Sequence, residues 1–151
     1  LLLEEGAVEL PEGEFNAAFN PEAVVKVTDV LLASHENTAQ IIDARPATRF
    51  NAEVDEPRPG LRRGHIPGAL NVPWTELVRE GELKTTDELD AIFFGRGVSY
   101  DKPIIVSCGS GVTAAVVLLA LATLDVPNVK LYDGAWSEWG ARADLPVEPV
   151  K

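Results

Sequence analysis

The chain has 151 residues, 46% of them hydrophobic and 25% charged, with a formal net charge of −11 at pH 7. That is one domain's worth of sequence, long enough for a full core, and its acidic balance argues against nucleic acid or an anionic membrane as a bulk partner. No apolar run approaches the ~18 residues of a membrane span, and a single cysteine excludes an internal disulfide or a Cys-rich metal site. Residues 1–20 carry Gly6, Pro11, Gly13 and several glutamates with little periodicity, and read as an extended arm or linker ahead of a domain over residues 21–151. The chain opens at Leu1 without Met, as a fragment or a processed chain would. Val24, Val27 and Leu31 recur at helical spacing, predicting a helix from about Pro21 to Ser34 and a turn over His35 to Thr38. Gln40-Ile41-Ile42-Asp43 is a short apolar strand ending in a charge, and Asp43 with Arg45 reads as an acid–base pair pinning the loop that follows.

That loop holds Arg45, Arg49, Arg58, Arg62 and Arg63, five of the 13 Lys plus Arg in the chain. Pro46, Pro57, Pro59 and Gly60 rule out a long helix there. On composition two readings stand side by side. The arginines make a local site for a small anion, since a guanidinium fork matches a carboxylate bidentately, or Glu53, Asp55 and Glu56 neutralise them on a solvated surface. Pro67-Gly68 makes a turn and Ala69 to Val72 a short strand. Thr85 and Glu88 have capping-box spacing, predicting a helix over Glu88 to about Phe94 with Leu89, Ile92 and Phe93 inward, stopped by Gly95 and Gly97.

Pro103-Ile104-Ile105-Val106-Ser107 is an apolar, β-branched run that reads as a buried strand, and Val112 to Ala122 reads as a buried helix. Cys108 sits between them, followed by Gly109-Ser110-Gly111. Unpaired amides and the helix macrodipole stabilise an anion at such a place, and a thiolate is an anion. The two glycines let the backbone curl its amides inward as a nest. Leu124 to Asn128 is a turn around Pro127, Val129 to Tyr132 a last short strand, and Leu145 to Lys151 a proline-containing tail. Trp136 and Trp139 read as core or rim packing. The alternation predicts an α/β domain with a mainly parallel central sheet flanked by helices. Ligands bind outside the C-terminal ends of such strands, where Cys108 and the arginine loop share one crevice.

Cys108-Gly109-Ser110-Gly111-Val112-Thr113-Ala114 resembles the active-site loop of the 3-mercaptopyruvate sulfurtransferases, in the rhodanese superfamily. Asp43-Ala44-Arg45 resembles that family's Asp-x-Arg segment, Gly64-His65-Ile66-Pro67-Gly68-Ala69 its rhodanese signature, and Asp133 to Trp139 its closing glycine–tryptophan element. The resemblance implies a rhodanese-like fold and the C-terminal, catalytic half of a bacterial two-domain enzyme, packed against an N-terminal rhodanese domain. It implies that Arg49 in Thr-Arg-Phe and Arg58 in Glu-Pro-Arg hold the carboxylate and carbonyl of 3-mercaptopyruvate. Arg62 and Arg63 have no such match and read as surface, and His65 is structural in the family.

The expected activity follows from these residues. Cys108 takes sulfur from 3-mercaptopyruvate as a persulfide, and pyruvate leaves as its enolate. The sulfur passes to cyanide, a small thiol or a reduced protein dithiol. The loop from Gly109 through Gly111 and Val112 to Thr113 holds the charged sulfur, and Ser110 meets the substrate carbonyl or relays a proton. No metal or cofactor is expected, and a thiolate nucleophile suits a reducing, cytoplasmic compartment. Tyrosine-phosphatase chemistry is rejected, because such loops need an arginine where this chain has Ala114. Two alternatives are carried: a thiosulfate-type rhodanese, which places basic residues where this loop has neutral Gly109 and Ser110, and a non-catalytic rhodanese module.

Overall fold

The computed structural model describes residues 13–149. Its strands are β1 (Gln40–Asp43), β2 (Leu70–Asn71), β3 (Val78–Arg79), β4 (Glu82–Leu83), β5 (Ile104–Ser107) and β6 (Val129–Leu131). Four of them form one sheet in the order β2-β1-β5-β6, every neighbouring pair parallel, while β3 and β4 make a small antiparallel pair. The helices are α1 (Val27–Glu36), α2 (Ala47–Phe50), α3 (Thr86–Gly95), α4 (Ala114–Thr123) and α5 (Ala135–Trp139).

Parallel strands buried on both faces read as continuous apolar runs, and all four residues of β5 are buried. Alternate side chains point to opposite faces. Ile42, Ile104 and Val106 therefore join one core cluster with Leu89 and Phe93 of α3 and Val117 and Leu121 of α4. Ile41 and Ile105 join the other, with Val30 and Ala33 of α1 and Trp136 and Trp139 of α5. Each fully buried aliphatic or aromatic side chain contributes about 1.5–3 kcal/mol, so the two-sided burial of β1 and β5 fixes the centre of the domain. The register runs from Gln40 opposite Ile104 to Asp43 opposite Ser107, so both strands end at the same level.

The predicted α/β architecture with a parallel sheet stands, with changes at element ends. The helix expected from Pro21 to Ser34 is broken. A 3-10 turn covers Pro21–Ala23, capped by the Asn20 side chain, and α1 begins only at Val27. Between them Val24 bridges Leu131 in parallel and the Val25 N–H donates to the Leu131 carbonyl (2.8 Å), extending the sheet edge. The turn expected from His35 starts later, since α1 runs to Glu36 and Asn37 turns left-handed at φ 55°. The Thr85–Glu88 capping box forms as expected, with α3 starting at Thr86. Of the arm expected over residues 1–20, residues 1–12 lie outside the described residues, and 13–20 are exposed without regular structure. Among the described residues no helix is long and apolar enough to cross a membrane.

Candidate active site

Strand order sets the place. From β1 the chain moves outward to β2 at one edge, then returns to β5 on the other side of β1. The loops leaving β1 and β5 therefore diverge, and a crevice opens between them at the C-terminal strand ends. One loop begins at Asp43 and carries Arg45, Arg49 and Arg58; the other begins at Ser107 and carries Cys108.

The first loop is built on a buried charge network. Arg45, with a side chain 1% exposed, bonds both oxygens of Asp43, Glu56 Oε1 (2.9 Å) and the Gly64 carbonyl (2.8 Å), and its guanidinium lies 4.3 Å from the Trp136 ring centroid. Glu56, equally buried, takes Nε and Nη2 of Arg49 as a two-pronged pair. Two carboxylates and two guanidiniums thus balance. Pro46 stands at the N-terminal cap of the single helical turn α2, which carries Arg49 back to the Gly109 side of the crevice. Arg58 stands apart. Among the described residues it pairs with no carboxylate, and its Nη1 donates to Ser137 Oγ (2.9 Å).

The second loop is pinned from α5. Backbone N–H groups in the first turn of a helix lack intrahelical partners; here Trp136 N–H donates to the Cys108 carbonyl (2.9 Å) and Ser137 N–H to the Gly109 carbonyl (3.0 Å). In a trans peptide the N–H points opposite to the C=O. Holding those two carbonyls turns the N–H groups of Gly109 and Ser110 away from α5. Among the described residues no hydrogen bond occupies the backbone N–H of any residue from 109 to 113, leaving a set of donors suited to an anion. Gly111 adopts φ +83°, and a Cβ there would stand 2.6 Å from Asp133 Oδ1, so glycine is required.

The two loops enclose a cavity of about 190 Å³ lined by Arg49, Glu56, Pro57, Arg58, Leu61, Gly109, Ser110 and Thr113. Cys108 adjoins it through Gly109 and Ser110 and is itself 1% exposed, packed in the core cluster that holds Ala44, Val106 and Ala114. The helix expected to begin at Val112 begins at Ala114, so five loop residues separate it from Cys108. The open backbone donors nearest the sulfur are therefore those of the loop rather than the helix end.

The profile of the rhodanese-like domain matches residues 26–142, most of the chain. The chain belongs to the rhodanese-like domain family. It is 99% identical over 151 residues to the 3-mercaptopyruvate sulfurtransferase of Escherichia coli K12, covering all of this chain and 54% of that protein. It is 39% identical over 138 residues to the mitochondrial thiosulfate/3-mercaptopyruvate sulfurtransferase 1 of Arabidopsis thaliana, covering 91% of this chain and 36% of that one. Among solved structures, that of Escherichia coli SseA superposes with a TM-score of 0.78 at 96% identity, over 91% of this chain and 51% of that chain. The chain thus spans about half the length of the curated E. coli relative.

Within the rhodanese domain the predicted site residues divide into two groups. Arg49, Arg58, Gly109, Ser110 and Thr113 share the cavity. Gly111 and Val112 are not in its wall; Gly111 faces Asp133, and the Val112 side chain is 73% exposed. Asp43 and Arg45 form the pinning pair expected of them. His65 is structural: its ring stacks on Phe50 at 3.7 Å and its Nδ1 lies 2.8 Å from the Phe50 carbonyl. Arg62, read as surface, is corrected. It donates to the carbonyls of Trp139, Gly140, Arg142 and Leu145, tying the chain after α5 to the arginine loop. Arg63 does lie at the surface, with Asp55. Sequence reasoning missed Glu56 and Ser137 as site residues. Glu56, read as neutralising the arginines on a solvated surface, does pair with them but is buried, while nothing local marks Ser137.

Proposed function

We propose that this rhodanese domain is the catalytic half of a 3-mercaptopyruvate sulfurtransferase, carrying sulfur on Cys108. The observation that carries the reading is the placement of charge. Arg49 and Arg58 line the same cavity as Gly109 and Ser110, while the cysteine loop has no cation of its own. That suits a donor whose carboxylate stands a three-carbon skeleton away from its sulfur. Thiosulfate, a dianion with its oxygens beside the sulfur under attack, calls for positive charge in the loop itself.

In this mechanism the Cys108 thiolate attacks the substrate sulfur. The Sγ–S bond forms, the substrate C–S bond breaks, and the electron pair delocalises onto the carbonyl as the enolate of pyruvate, which takes a proton at carbon. Arg58 and the Nη1 of Arg49, which the Glu56 pair leaves unused, hold the carboxylate and carbonyl. Ser110, exposed on the cavity wall, meets the carbonyl oxygen or relays the proton. Amides from Gly109 through Gly111 and Val112 to Thr113 hold the anionic sulfur. Cyanide, a small thiol or a protein dithiol then takes the outer sulfur, and Cys108 leaves as thiolate. Neither a metal nor an organic cofactor takes part.

Residues 1–20 are read as the arm from a preceding rhodanese domain that packs against the catalytic unit over 21–151, in a reducing, cytoplasmic compartment. The test uses the full-length protein. After incubation with 3-mercaptopyruvate, intact-mass measurement should show one added sulfur atom on Cys108, absent in Cys108→Ser, which should also lose turnover while keeping its fold. Wild-type turnover by Cys108→Ser would overturn the mechanism, and a wild type preferring thiosulfate would select the thiosulfate-type alternative.

A further inference from the structure

We propose that Ser137 is a substrate-positioning residue that acts through Arg58; this deepens the sulfurtransferase reading and rests on it. Ser137 lies in α5, away in sequence from both loops, yet its hydroxyl joins them. Its Oγ donates to the Gly109 carbonyl (2.6 Å) and accepts from Arg58 Nη1 (2.9 Å). The directions are forced. Arginine has no acceptor, a carbonyl has no donor, and a serine hydroxyl has one proton to give. The hydroxyl therefore has one orientation that satisfies both neighbours.

Arg58 needs such a partner. Pro57 and Pro59 stiffen its backbone on both sides, but its exposed side chain pairs with no carboxylate among the described residues, unlike Arg49. Ser137 holds that guanidinium against the cysteine loop at the residue following Cys108. The distance from the carboxylate-binding cation to the sulfur carrier is thereby set by a side chain that touches neither sulfur nor substrate. The loop does not depend on the hydroxyl for its own position, because the Ser137 N–H also donates to the Gly109 carbonyl (3.0 Å). Removing the hydroxyl releases Arg58 and leaves the loop anchored.

The experiment measures kcat and KM for 3-mercaptopyruvate in the full-length wild type, Ser137→Ala, Ser137→Thr, Arg58→Ala and the Ser137→Ala/Arg58→Ala double variant. Ser137→Ala should raise KM about three- to tenfold with kcat within about twofold, the scale of one solvent-exposed hydrogen bond. Ser137→Thr, which keeps the hydroxyl, should recover most of the loss. The double variant should be no worse in KM than Arg58→Ala alone, because the serine acts only through the arginine. Additive losses, a fall in kcat at unchanged KM, or an unchanged KM in Ser137→Ala would each overturn the positioning role while an active wild type upholds the functional reading. A wild type that does not turn over 3-mercaptopyruvate would overturn both.

Discussion

Arg49 and Arg58 face the same cavity, but their removal should have different consequences for the fold. Arg49→Ala deletes two charge-assisted hydrogen bonds to Glu56, whose side chain is 1% exposed, leaving that carboxylate with Arg45 alone. Breaking a buried ion pair by taking one partner costs about 3–5 kcal/mol. Arg49 is itself 22% exposed, so water enters part of the space it leaves, and about 2–3 kcal/mol is the expected loss. For a domain near this size that corresponds to roughly 4–12 °C in the midpoint of its unfolding transition. Arg58→Ala leaves no buried carboxylate behind and should move the midpoint by about 1 °C or less. Both variants should lose 3-mercaptopyruvate turnover, by one to a few powers of ten. The assay pairs calorimetric unfolding with steady-state kinetics on the full-length variants. Adding Glu56→Gln to Arg49→Ala should return part of the stability, since a neutral amide no longer buries an uncompensated charge. An Arg49→Ala protein as stable as wild type, or an Arg58→Ala protein equally destabilised, would refute the assignment of structural charge to one arginine and free charge to the other.

Ser110→Lys places a cation in the exposed part of the cysteine loop and should shift the kcat/KM ratio toward thiosulfate by about five- to tenfold, on the order of 1 kcal/mol; an unchanged ratio counts against charge placement as the source of selectivity. The same change at Gly109 is a poorer test, because a Cβ there would meet Arg49 Nη2 at 2.8 Å. At the surface, the Arg79 side chain, with the backbone and hydroxyl of Thr85, lowers the Glu88 carboxyl from 4.5 to about 2. A carboxyl depressed in the folded state adds stability above its unfolded value that is lost as pH falls toward the folded one, so Glu88→Gln should show a flatter fall in urea midpoint from pH 4.5 to pH 2 than wild type. Equal slopes would show that the contact does not persist in solution.

The legible parts of this chain were those whose cause is local. The β-branched run of β5, the Thr85–Glu88 capping box and the turn chemistry after Cys108 each carry their reason within a few residues. The helix misread from Pro21 failed because Val24 fits a helical period with Val27 and Leu31 but is claimed, with Val25, by Leu131, a partner more than 100 residues away. The arginine segment shows the same division. Its density of charge was visible, and Glu56 stands only seven residues from Arg49, but that Arg62 would gather four carbonyls beyond Trp136 depended on how the chain after α5 returns to the loop. Ser137 was illegible for that reason: a serine in a short helix has no local signature, and its meaning comes from Gly109 and Arg58 arriving on either side.

The level ending of β1 and β5, with Asp43 opposite Ser107, has a consequence for how such a domain changes over time. Both loops spring from the same rung of a ladder whose side chains are committed to the two cores. The span between Ser107 and Ala114 is anchored through its backbone, by carbonyls that any residue supplies. The exposed side chains at Ser110 and Val112 are therefore open to replacement while Cys108, Gly109 and Gly111 are held by their surroundings. A lineage can trade a neutral residue for a basic one at 110 or 112 without renegotiating the packing beneath. At those two positions, chemistry at the rim and architecture below become separately heritable.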